Sequence, residues 1–352
     1  MAFSVPQSMD PRHSAFKLLT QVYLLGLPVL AFNLFRTMED LRRVAWWWVA
    51  SAGVMVGFGV ATLLLFPFLG PDGILDWPLH HFGTLPPGPY PRLELSFSYP
   101  STLANYLSVV VMLVLVGTRL GWFDGKIATA LTVGLVLCAF FALTPSFGGL
   151  LFVVGALVWY SEREARPRLA RAVLVTGLAM PFVGALPATA TPILHPTAPY
   201  LIELPLGVTL APAIRLLAWT EAVQNFAASP IFGRGIGIET VAVYFEQENL
   251  CSGLCVGDAH NVFLSFAVQT GVVGLVAMLA IIAFVASKLK APLARSPADV
   301  ITFGLAIAWL SGFALQGLVG SFEDARHLWI IFGLLLTASR CAERDVGRTA
   351  GI

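Results

Sequence analysis

The stretch HNVFLSFAVQTGVVGLVAMLAIIAFVA, residues 260–286, decides what kind of protein this is. After its opening His260-Asn261 pair it carries no ionisable side chain. About 20 such residues in helical conformation cross the hydrocarbon layer of a bilayer. A helix that is apolar on every side has no solvated face, so it belongs in lipid or in a deep core.

Working outward, eight more segments read the same way, at 16–35, 44–69, 99–117, 127–143, 147–160, 170–187, 299–319 and 324–340. The one at 147–160 is short, and Gln21 and Asn33 interrupt the one at 16–35. Composition agrees: 57% of the 352 residues are hydrophobic and 12% are charged, where a soluble domain carries about 25% charge. The expected fold is an all-α polytopic integral membrane protein with about nine transmembrane helices. The net charge of +1 and the lack of a basic stripe exclude a nucleic-acid binder. Met1 to His13 is polar and no small-residue cleavage site follows Lys17, so a cleaved signal peptide is not expected.

Short loops rich in Lys and Arg face the cytoplasm. Arg36, Arg42 and Arg43 fall in one loop, Arg119 and Lys126 in another, and Arg163, Arg166, Arg168 and Arg171 in a third. Lys288, Lys290 and Arg295, then Arg340, Arg344 and Arg348 in the tail, complete the set. All lie on one side if the nine segments cross. The opposite side then holds a loop at 70–98, a large loop at 188–259 and short turns at 144–146 and 320–323. The chain divides into N-terminal membrane helices (1–187), the large loop (188–259) and C-terminal membrane helices (260–352), forming one membrane domain. One discrepancy follows: a crossing at 16–35 puts Arg12 and Lys17 outside. Either that segment lies in the interface or the chain begins partway into a longer protein.

Chemistry is expected in the large loop. Pro187 to Pro205 reads as irregular. Pro212 opens a helix over 212–228 that Ser229-Pro230 stops. Arg215, Trp219, Ala222 and Phe226 share one face of it. Next comes Phe232-Gly233-Arg234-Gly235-Ile236-Gly237, where glycines let backbone approach a neighbour closely. A dinucleotide-binding reading fails for want of a preceding strand and βαβ unit. Asp258-Ala259-His260-Asn261 closes the loop.

Each feature has a plainer reading. A lone interfacial His is commonly a hydrogen-bonded structural residue. Arg215 would pair with Glu221 or Glu203, Arg234 would be a solvated turn residue, and Trp219 an interfacial anchor. The adjacent His80 and His81 lack companions at metal-ligand spacing, and no Asp-x-Asp motif stands in the outer loops. No metal and no cofactor are expected. Cys138 and Cys341 read as inert.

Taken together, Arg215 followed four residues later by Trp219, the Pro230-x-x-Gly233-x-Gly235-x-Gly237 turn, His260-Asn261, and a helix carrying Gly271 and Gly274 resemble the O-antigen ligase and polymerase family. Weaker likeness lies in Ser101 to Leu115, in Thr144-Pro145-Ser146-Phe147-Gly148-Gly149 and in Thr37 to Arg43. Two departures stand out. Phe147 occupies a position where the family has Arg, and several N-terminal spans are missing.

The resemblance implies a GT-C-like membrane glycosyltransferase in the bacterial inner membrane, with its site facing the periplasm. The donor would be a glycan on undecaprenyl diphosphate. The acceptor would be a sugar hydroxyl on the lipid A core or on another lipid-linked glycan. Arg suits the diphosphate because its planar fork bonds phosphate oxygens in pairs. Arg215 is the first candidate, Arg234 the second, and Arg326 would replace the cation that Phe147 lacks. Imidazole is the side chain whose ordinary titration falls near neutrality, which makes His260 the candidate general base, with Asn261 or Asp258 fixing its tautomer. Gly233, Gly235, Gly237 and Trp219 would line the substrate. Direct attack would invert the anomeric centre. In an oxidising compartment, Cys251 and Cys255 admit a disulfide.

Two other classes compete. A transporter or flippase would carry ionisable groups at mid-membrane and internal repeats, and neither stands out. A catalytically inactive scaffold of a glycan assembly complex would fit Phe147 and the missing spans, but not the retained Arg215 and His260.

Overall fold

The structure, a computed structural model, describes residues 11–70, 75, 77–79, 91–142, 144, 147–162, 168, 171–179, 202–204, 208–210, 213–237, 241–245, 253–257, 259–290 and 296–349. It is a helical membrane bundle. Helices α1 (Pro11–Leu34), α2 (Met38–Leu69), α3 (Pro100–Arg119), α4 (Gly125–Phe141) and α5 (Phe147–Glu162) precede the large loop. Residues 171–179 are also helical. Within the loop lie β1 (Ile202–Leu204), β2 (Val208–Leu210), α6 (Ala213–Ala228), β3 (Val241–Phe245) and β4 (Gly253–Gly257). After it come α7 (Val262–Ser287), α8 (Pro297–Trp309) and α9 (Arg326–Thr349).

Local chemistry sets the boundaries. Thr37 and Asp40 form a reciprocal capping box at α2, and Ser296 and Asp299 form another at α8. Asp124 caps α4, and Pro100 takes the first turn of α3, where its missing N–H costs nothing. On α2 the buried residues are Leu41, Ala45, Val49, Ala52, Val56, Gly59 and Thr62, one helical stripe. Its opposite face, with Trp47, Val54, Phe58 and Phe68, is exposed and apolar. Such a surface is solvated by lipid.

Among the described residues, five helices are long and apolar enough to cross a membrane: Ser14–Leu34, Met38–Leu69, Pro100–Arg119, Val262–Ser287 and Pro297–Leu318. Gly125–Phe141 and Phe147–Ala156 are apolar but shorter. The expected count of about nine is therefore larger than the count that length and composition give. The expected segment at 170–187 is described only as far as 179. The chain departs from the purely α reading in the large loop. There β1 pairs with β2 and β3 with β4, as two small antiparallel hairpins.

Contacts fix the helix directions. α1 and α9 run side by side in the same sense. Lys17 meets Asp324 at one end, and Arg340 donates to the Phe32 and Phe35 carbonyls at the other. α3 and α8 are antiparallel: Gly304 faces Val116 and Met112, and Gly312 faces Asn105. α2 and α4 run together, Gly53 against Leu131 and Gly134 against Val56. These directions bring Arg36, Arg42, Arg43, Arg119, Lys126, Lys288 and Arg340 to one end of the bundle, as the loop charges predict. α1 stands alongside α9 rather than lying across it.

The eighth span is not uniform. After Trp309 it becomes a π turn (Leu310–Leu315) and then a 3-10 turn (Gln316–Leu318). Neighbours engage the backbone and side chains there. Asn105 Nδ2 donates to the Gly312 carbonyl at 2.9 Å, and Ser311 Oγ donates to the Gly149 carbonyl at 2.7 Å. Broken helices at membrane depth persist where protein neighbours re-satisfy the backbone.

Candidate functional site

The large-loop helix starts at Ala213, one residue after the predicted start, and ends as predicted at Ala228. It packs on the first half of α7 through a small cluster of buried Ala218, Ala222, Ala259 and Val268, joined by Phe226 and Leu264. Alanines at i and i+4 let the two helices approach closely. Trp219 is half-buried, and its indole N–H is buried without a hydrogen bond among the described residues. Arg215 lies in the first turn of α6. Its side chain and those of Glu203 and Cys255 lie outside the described part, as do Asp258, Cys251, His80 and His81 entirely.

The glycine turn does not stand free. α7 breaks at Gly271, whose backbone is left-handed (φ 66°, ψ −165°). The turn is clipped into that break: Val272 N donates to the Pro230 carbonyl at 2.8 Å and Arg234 N donates to the Val268 carbonyl at 2.8 Å. Gly233 also has positive φ, and a Cβ there would stand 2.4 Å from the Gln269 backbone. Side chains are excluded on both sides of the junction for the same reason. The Arg234 guanidinium bonds Asn225 Oδ1 on α6, tying the loop helix to the turn.

His260 is exposed and sits at the mouth of α7 with φ 43°, a left-handed conformation uncommon outside glycine. Asn261 caps the helix, its Oδ1 accepting from Phe263 N at 2.9 Å and Leu264 N at 3.1 Å. Its Nδ2 donates to the Leu318 carbonyl at 3.1 Å, which joins the start of α7 to the end of the eighth span.

The turn before α9 reaches the same end of the bundle. Glu323 is buried, and its Oε1 accepts from Ser265 Oγ at 2.6 Å. Asp324 pairs with Lys17 and accepts from Gln21 Nε2 at 2.8 Å, so neither acid forms the local pair with Arg326 that the sequence suggested. Arg326 is exposed. His327 is buried, with Nε2 on Asn105 Oδ1 at 2.7 Å and the Tyr106 ring edge-on at 5.6 Å. Phe147 packs edge-on to Phe140 at 6.0 Å. Among the described residues no three His, Cys, Asp or Glu side chains converge as a metal site.

Helix α6, the glycine turn and His260 thus share one end of the bundle, and a family described as O-antigen ligase matches residues 101–279, just over half of the chain. The chain belongs to the O-antigen ligase family. It is a multi-pass membrane protein of a ligase and polymerase type, a glycosyltransferase-like enzyme whose partners are in general lipid-linked glycans and the lipid A core. No curated protein matches the chain. The ligase match runs from α3 into α7 and takes in Arg215, the glycine turn and His260. Lys17, Glu323, Asp324 and Arg326 lie outside it.

Sequence reasoning passed over Gln269 and Ser265, which carry the polar contacts of this ligase-family site. A signal was available: two polar side chains four residues apart in an otherwise apolar span face the same side of a helix and rarely face lipid.

Proposed function

We propose that this protein transfers a glycan from undecaprenyl diphosphate to an acceptor sugar hydroxyl at the periplasmic face of the bacterial inner membrane. The product is O-antigen ligated to the lipid A core or a lengthened O-antigen or exopolysaccharide chain. About nine segments cross the membrane, counting the shorter apolar helices and 170–187. The observation that carries the reading is the packing of α6 on the mouth of α7. It puts the Arg215-bearing helix and His260 on the end of the bundle opposite the basic loops.

In this reading Arg215, assisted by Arg234 and Arg326, neutralises the diphosphate leaving group. Oriented cations of this kind stabilise charge as it develops in the transition state. His260 takes the proton from the acceptor hydroxyl as its oxygen attacks the anomeric carbon. The C–O bond to the diphosphate breaks in the same displacement, so the centre inverts and no metal is required. Asp258 and Asn261 steady the base, and Trp219, Gly233, Gly235 and Gly237 line the glycan path. A disulfide between Cys251 and Cys255 would brace the loop. The exposure of His260 supports its part, because an acceptor can reach it.

Deletion of the gene followed by analysis of surface and lipid-linked glycans tests this. Long chains stranded on the carrier with bare lipid A core indicate a ligase; single repeats capping the core indicate a polymerase. Complementation with His260→Ala and Arg215→Ala should fail. An unchanged glycan profile overturns the function, and full rescue by both variants overturns the site.

A further inference from the structure

Six residues close a ring between the glycine turn and the turn that precedes α9. Gly237 N donates to Gln269 Oε1 at 2.9 Å, Gln269 Nε2 donates to Ser265 Oγ at 2.7 Å, and Ser265 Oγ donates to Glu323 Oε1 at 2.6 Å. Asp324 follows Glu323 in the chain and pairs with Lys17. The stem of Lys17 returns to the start: a Cβ on Gly237 would stand 2.6 Å from both Lys17 Cβ and Cγ. Gly237, with φ 72°, therefore admits Lys17 on one side and bonds Gln269 on the other.

Every donor and acceptor in the chain is dictated. The amide N–H of Gly237 can only donate and a carboxylate can only accept, so the residue at 269 must accept on one side and donate on the other. Glutamine does both; glutamate cannot donate to Ser265. Hydrogen bonds aligned in one sense polarise and strengthen one another in a low-dielectric setting. The ring also joins parts that are remote in the chain, since Lys17 belongs to α1 and Glu323-Asp324 to the last outer turn. Gln21, one helical turn after Lys17, adds a second bond to Asp324 at 2.8 Å.

We propose that Gln269 is a positioning residue: through Ser265 and Glu323 it fixes the turn that carries Arg326 against the glycine turn that carries Arg234, and α1 locks the arrangement through Lys17. This rests on the glycan-transfer reading above for what is positioned, namely two cations that meet a diphosphate. Gln269 touches no substrate in this scheme.

The full-length protein in proteoliposomes tests it with two readouts. A water-soluble carbodiimide joins Lys17 to Asp324 by a zero-length amide, which peptide mass spectrometry quantifies; both side chains are partly exposed. Transfer kinetics are measured in parallel with an undecaprenyl-diphosphate-linked glycan as donor. Gln269→Leu, Gln269→Glu and Ser265→Ala are expected to lower the Lys17–Asp324 cross-link and kcat/KM for the donor together, the latter about tenfold, as small misplacements of binding groups do. Ser265→Thr, which keeps the hydroxyl, should restore both. Cross-linking unchanged in Gln269→Leu overturns the ring as a coupled unit. A lowered cross-link with unchanged kcat/KM overturns the positioning role. Failure of the wild-type protein to transfer at all, with the cross-link intact, removes the functional reading and this role with it, while leaving the ring as a structural fact.

Discussion

Gly271 and Ile231 meet backbone to backbone: a Cβ on Gly271 would stand 2.2 Å from the Ile231 carbonyl oxygen. The contact exists because α7 is left-handed at Gly271 and the freed N–H groups of Val272 and Val273 turn to the Pro230 and Ile231 carbonyls. The loop motif is thus spliced into a membrane helix.

Gly271→Ala should be strongly destabilising. The left-handed conformation alone costs an L-residue about 1–2 kcal/mol, and displacement of the 230–234 turn adds to it. The check is the thermal midpoint of the purified protein, in comparison with Gly26→Ala, where a Cβ meets nothing within 4 Å. Equal midpoints for the two variants would refute the splice.

Asn105 joins three elements, accepting from His327 Nε2 at 2.7 Å and donating to Gly312 at 2.9 Å. All of this is buried in the bundle core. Asn105→Leu strands both partners, and each buried group left without its bond costs about 1–3 kcal/mol. Denaturation in mixed detergent–SDS micelles should report a loss in that range. A variant as stable as wild type would mean the bonds are exchanged for others at no cost.

Sidedness is open to chemical labelling. Cys138 and Cys341 are buried free thiols, so a Cys251→Ser, Cys255→Ser background should be nearly silent toward a membrane-impermeant maleimide. In cells with a permeabilised outer membrane, Arg326→Cys should react at once, and Lys126→Cys only after lysis. The reverse pattern would invert the topology and remove the site from the periplasm.

Arg234 holds two connections, its amide on Val268 and its guanidinium on Asn225. If its charge also meets the substrate, Arg234→Ala should lower transfer about tenfold more than Asn225→Ala, because an interaction with phosphate is charge-assisted and the one with Asn225 is not. Equal losses in the two variants would reduce Arg234 to a tie between α6 and the turn.

The membrane character was legible because a lipid-facing helix must be apolar all round, and the basic loops were legible because their charge asymmetry is local in sequence. The helix bearing Arg215 was bounded by its prolines. The ring at Gln269 was not legible, since its closure depends on Lys17 and Glu323 lying side by side across the whole length of the chain. The purpose of the glycines was half legible: close approach was expected, but of a ligand, whereas at Gly233 and Gly271 the approaching atoms are the protein's own backbone. The hairpins were missed because three- and five-residue strands leave too short a pattern of alternation to read.

The π turn at Leu310–Leu315 carries a further consequence. A π turn holds one residue more than the α-helix would need to reach the same place, so the stretch behaves as a tolerated insertion. Loss of a single codon there would restore an ordinary α-helix and turn everything beyond it by about 100°. Gln316 would swing away from Ser108, and the Leu318 carbonyl that receives Asn261 would move with it. The mouth of α7 is therefore held in phase by one surplus residue in a neighbouring helix, and length variation among relatives should be rarer at that point than in any of the loops.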